Sequence, residues 1–226
     1  MAETSVTEAV QTTAPRREFG LFRTPLAAGM LSGVLAGAVT YEASRALIAY
    51  ALHGNFEFWL WVVALVEEYA LLTGPALGRR SLSAAGGALM WTVALWLTEY
   101  AAWRLPRWLG VAFSDVNVQY LIWYTIMLAL TGGLRGVALA RLWQTRAATR
   151  HAAVLGVGSG LLAGGFWALG LYLASKAGMS MGVSPEGTTI HFFECVICGF
   201  IMTTLPALPI EKELQKQARE NVGGGV

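Results

Sequence analysis

Ile190-His191-Phe192-Phe193-Glu194-Cys195-Val196-Ile197-Cys198-Gly199-Phe200 opens the last apolar run of the chain, residues 190–210, and its reading decides the fold. As a helix, this run puts His191, Glu194, Cys195, Cys198 and Met202 at i, i+3, i+4, i+7 and i+11, which is one face. Polar and soft side chains inside a hydrocarbon segment are costly unless they face protein, water or a metal. The run therefore predicts a membrane-spanning helix with one face turned into a bundle.

The rest of the chain fits that solvent. With 55% hydrophobic and 13% charged residues and a mean hydropathy of +0.52, it is far less charged than a soluble domain, where about a quarter of residues carry charge. The apolar residues are gathered into blocks of about the 20-residue length that crosses a bilayer. The blocks fall at residues 26–52, 58–77, 82–103, 118–134, 152–175 and 190–210, so the expected fold is all-α, a polytopic bundle of six transmembrane helices. Around it the sequence predicts a polar cytoplasmic tail over 1–24, a membrane domain over 25–210 and a cytoplasmic helix or tail over 211–226. The net charge of +2 is small and the basic residues sit in connections, which argues against nucleic acid as a partner. Two cysteines, both within one helix, give no disulfide framework.

Charge sets the orientation. With the N-terminus inside, Arg16, Arg17, Arg23, Arg79, Arg80, Arg135, Arg141, Arg146, Arg150, Lys212, Lys216 and Arg219 fall on the cytoplasmic side, against Arg104, Arg107 and Lys176 outside. The positive-inside rule then predicts that both termini are cytoplasmic, in a bacterial-type inner membrane. A faint repeat is also visible: Ser32-Gly33-Val34-Leu35-Ala36-Gly37 echoes Ser159-Gly160-Leu161-Leu162-Ala163-Gly164, and the even-numbered runs close on Thr73-Gly74-Pro75, Thr131-Gly132-Gly133 and Thr204-Leu205-Pro206. Such a pattern suggests three related hairpins about an axis along the membrane normal. Gly156, Gly160 and Gly164 recur every four residues, which predicts a smooth face against a neighbouring helix.

Depth sorts the ionisable residues. Glu67 and Glu68 fall near the middle of the second run, while Glu42, Glu99 and Glu194 come toward the outer side. Intramembrane acids usually face the bundle interior, so these predict an acidic outer chamber of Glu42, Glu99 and Glu194, deepest at Glu67 or Glu68. Arg45 stands three residues after Glu42, near enough for a local ion pair. Glu67 and Glu68 have no basic neighbour on their own run, which marks them for transport or proton coupling. His191, Glu194, Cys195 and Cys198 form a second candidate group, a soft-metal site for copper or zinc.

Other chemistries lack their residues. The Gly-rich segments carry no Lys-Ser or Lys-Thr for a nucleotide, and His-Glu-x-x-His is absent. Glu67-Glu68 is similar to the paired glutamates of intramembrane metalloproteases of the prenyl-protein type. However, Leu71 and Leu72 stand where Arg or Lys is expected, and no histidine follows at a helix centre. The expected function is a small ion or solute transporter, or a channel-like protein, in which Glu67 and Glu68 carry or gate and the outer acids attract cations. Alternatives are a non-catalytic subunit or assembly factor of a larger membrane complex, and a membrane-embedded metal or redox enzyme. The sequence leans away from an enzyme. Its expected partners are the lipid bilayer and a second copy or a membrane-complex subunit.

Overall fold

The structure, a computed structural model, describes residues 24–51, 82–112, 118–178 and 185–223. These form α1 (Pro25–Ala51), α2 (Leu82–Trp108), α3 (Val118–Leu142), a 3-10 turn (Arg146–Ala148), α4 (Thr149–Lys176) and α5 (Pro185–Gly223), with no strand among the described residues. Helices suit this composition because in lipid every backbone N–H and C=O must be satisfied within the segment. Three stretches, Leu121–Leu142, Arg146–Lys176 and Thr189–Asn221, are long and apolar enough to cross a membrane.

The helix ends follow from local chemistry. Proline occupies the first position of both α1 and α5, where its missing N–H costs nothing. In α1 the Thr24 hydroxyl accepts from the Ala27 N–H at 3.2 Å, and the Glu211 carboxylate of α5 accepts from the Leu26 N–H at 3.3 Å. The chain leaves α2 through Gly110 at φ 72°, with the Val111 N–H bonded to the Pro106 carbonyl, and leaves α4 through Gly178 at φ 67°.

Two boundaries differ from the sequence reading. The third run was expected to end at residue 103, yet α2 continues through Pro106 to Trp108. A proline there withholds the N–H that the Ala102 carbonyl would accept. The Trp123 indole N–H of α3 supplies it instead, at 3.2 Å. Likewise α5 starts at Pro185, ahead of residue 190, and runs through Pro206 and Pro209 to Gly223 as one helix.

α1, α2 and α4 start at the end of the bundle where α3 finishes and the late part of α5 lies. The most extensive contacts are α3 on α4 and α1 on α5, followed by α4 on α5, while α2 packs on α3. Alanines make up much of the core, with Leu95, Leu139 and Leu142 among them. At one end, Ala28, Ala88, Ala138, Ala148, Ala152 and Ile210 draw all five helices together; near mid-height, Ala36, Leu128, Ala163 and Met202 join four of them. Many large aliphatic side chains point outward, as at Leu35 (53% exposed), Leu89 (55%), Leu162 (58%) and Val154 (63%). Small residues inside and large ones outside is the pattern of a bundle whose solvent is hydrocarbon.

Glycine rows hold the two main interfaces, and they match. Gly156 lies on the Gly132 carbonyl, Gly160 on the Leu128 carbonyl and Gly164 against Thr125, whereas Gly29 lies on the Thr203 carbonyl, Gly33 on Gly199 and Gly37 on Cys195 and Val196. An added Cβ at Gly37 would stand 2.6 Å from the Val196 Cα. Ser32 and Ser159 donate to the Gly29 and Gly156 carbonyls at 3.2 and 2.7 Å, and Ala36 and Ala163 are both fully buried. The echoed segments therefore occupy equivalent contacts: α1 uses on α5 the surface that α4 uses on α3.

Candidate functional site

Among the described residues, Glu194 is the least exposed carboxylate. It sits three turns into α5, whose opposite side is committed to α1 through Cys195 and Gly199. The Glu194 side chain consequently turns toward α4 and lies against Gly170, where a Cβ would overlap its Oε1 atom. Only glycine leaves room for the carboxylate at that crossing. The residue is 3% exposed, and neither oxygen accepts a hydrogen bond from any described residue. Among the described residues, its nearest basic group is His191, one turn earlier, with Nδ1 3.9 Å from Oε2. That separation is longer than a hydrogen bond.

Aromatic side chains wall the site toward α1. Tyr41 is buried, its ring centroid 6.0 Å from that of His191 and 5.1 Å, edge-on, from that of Phe192. His191 keeps 16% of its side chain exposed against 4% for Glu194, so it stands between the bundle end and the buried acid.

The predicted acids occupy different depths. Tyr41 is opposite His191, so Glu42 lies about one turn nearer the bundle end than Glu194, and it is exposed. Glu99 is buried on α2. Trp123 reaches Ala102, and its neighbour Tyr124 packs on Trp167 at 4.4 Å. Glu99 lies on the Ala88 side of that level and Glu194, opposite Gly170, on the Tyr41 side. The three carboxylates descend in the order Glu42, Glu194, Glu99. Glu67 and Glu68 lie outside the described residues, as does the side chain of Arg45.

The proposed metal ligands divide into two groups. His191, Glu194 and Cys195 are neighbours, with Cys195 Sγ 3.9 and 3.8 Å from the His191 ring nitrogens. Cys198 Sγ instead donates to the Ala163 carbonyl of α4 at 3.5 Å. Among the described residues, no group of three or more His, Cys, Asp or Glu side chains is placed to hold a metal ion.

Sequence reasoning missed Arg135. Counted as a cytoplasmic flank, it is 1% exposed, lies between the two core clusters along α3, and donates from Nη1 to the Met202 sulfur of α5 at 3.4 Å. The signal was present: Arg135 lies at i+4 from Thr131 and shares a helical stripe with Ala138, Leu139 and Leu142, all buried. Arg104, counted among the outer flanking charges, is half-buried with its guanidinium 5.3 Å from the centre of the Tyr100 ring. Comparison of the chain with protein families, with curated proteins and with solved structures returns no match.

Proposed function

We propose that this chain is a small multi-pass carrier or channel-like protein that moves a cation or a small solute across a cytoplasmic membrane. In this reading six helices cross the bilayer with both termini cytoplasmic. The observation that carries the proposal is Glu194: a carboxylate 3% exposed, in a stretch apolar enough to span a membrane, with neither oxygen hydrogen-bonded by a described residue. Ionisable groups at such positions are costly, and they mark ion pathways and proton relays.

The staggered acids support the same reading. Glu42 at the exposed end attracts cations, Glu194 and Glu99 receive them further in, and Glu67 and Glu68 are the mid-membrane groups that gate or carry. The test is flux in vesicles that contain only this protein and lipid. Wild type is expected to move monovalent cations or protons, whereas a Glu67→Gln, Glu68→Gln variant inserts and folds but moves none. Unchanged flux in that variant would remove the central acids from the mechanism.

A further inference from the structure

We infer that Glu194 is a proton-binding carboxylate that loads and unloads through His191, with the proton itself as the ligand of this site. The inference rests on the carrier reading only for its purpose; the site is defined by its own geometry. Both Glu194 oxygens lack a hydrogen bond from the described residues, and the carboxylate fills the space that Gly170 leaves open. A space closed to any Cβ on the α4 side suits a proton better than a hydrated cation. His191 Nδ1 is 3.9 Å away, near enough that a small side-chain rotation closes it to hydrogen-bond range.

The surroundings narrow the route. α1 presents buried Tyr41, packed on the same histidine, and exposed Glu42 beyond it. α4 presents Gly170, while Lys176 further along is exposed and lies 5.7 Å from the Tyr172 ring. Among the described residues, His191 is the basic group nearest Glu194, and the Cys195 thiol lies 3.9 and 3.8 Å from its ring nitrogens. In the transfer, the Nδ1–H bond of the imidazolium breaks, the proton forms an O–H bond with Oε2, and the nitrogen keeps the electron pair. The neutral ring then takes its next proton from water at the bundle end. Histidine suits this work because its two ring nitrogens let one side chain accept a proton on one face and give one up on the other.

The experiment uses the full chain in lipid. Infrared spectra of wild type minus Glu194→Gln should show a protonated-carboxyl stretch that shifts on transfer to D2O. In His191→Gln that shift should slow by about tenfold or more, whereas in Tyr41→Phe it should keep the wild-type rate. Treatment of wild type with dicyclohexylcarbodiimide tests the site without any variant. The acid proton goes to a carbodiimide nitrogen, the carboxylate oxygen adds to the central carbon, and the rearranged acylurea is located by mass spectrometry. Label on Glu194 is expected. An unlabelled Glu194 with no carboxyl difference band would overturn the proton site, and unchanged exchange in His191→Gln would overturn the relay. Absent flux alongside a labelled, exchanging Glu194 would count against the carrier reading and not against this one.

Discussion

Gly160→Ala, compared with Gly165→Ala on the same helix, tests whether the bundle is held by backbone contact along glycine rows. At Gly160 an added Cβ would fall onto the Leu128 carbonyl and stand 2.7 Å from the Ala129 Cα; at Gly165 nothing lies within 4 Å. Both changes remove a glycine from a helix interior, which favours the variant by up to about 1 kcal/mol. At Gly160 this gain is opposed by overpacking, about 1–3 kcal/mol, and the upper part of that range applies because the obstruction is backbone rather than a mobile side chain. A net loss of about 1–2 kcal/mol lowers the folding equilibrium constant roughly 5- to 30-fold. Gly165→Ala should be neutral or slightly stabilising. Reversible unfolding in mixed micelles, followed by tryptophan fluorescence, reads both. Because Gly33 holds the equivalent place between α1 and α5, Gly33→Ala should behave like Gly160→Ala. Equal stability of the Gly160 and Gly165 variants would refute the packing argument.

Two further variants probe single bonds. Thr203→Val keeps the shape but loses the 2.6 Å bond from Oγ1 to the Gly29 carbonyl of α1, so a loss of about 0.5–1.5 kcal/mol is expected in the same unfolding assay, and no change would make that bond dispensable. Trp123→Phe leaves the Ala102 carbonyl without its donor and should loosen α2 by about 1–3 kcal/mol, seen as faster amide exchange along that helix. Adding Pro106→Ala restores a helical N–H to Ala102 and should recover most of the loss; failure of that rescue would show that the indole bond does not compensate for the proline.

The membrane character and the packing faces were legible because periodicity reports them directly. Gly156, Gly160 and Gly164 predicted a smooth face, and that face packs on α3. The echo between residues 32–37 and 159–164 was visible, but its meaning was not, because equivalence depends on which helices pair and α1 pairs with α5 across most of the chain length. Arg135 was misread because charge counting treats a residue near a span end as solvated, whereas helix rotation decides whether it faces lipid, water or core. The end of α2 was placed too early, at residue 103, because the defect of Pro106 is repaired by Trp123, a residue of another helix. Gly170 gave no local signal at all, since its role is set by Glu194 on a different helix.

Flux through vesicles containing wild type or Glu194→Gln tests the central claim most directly. Gln occupies the same volume and can neither hold a proton nor bear charge, so the bundle should fold while proton or cation movement falls to the level of protein-free vesicles. Wild-type flux that persists in Glu194→Gln would contradict the account of this buried carboxylate as a working group.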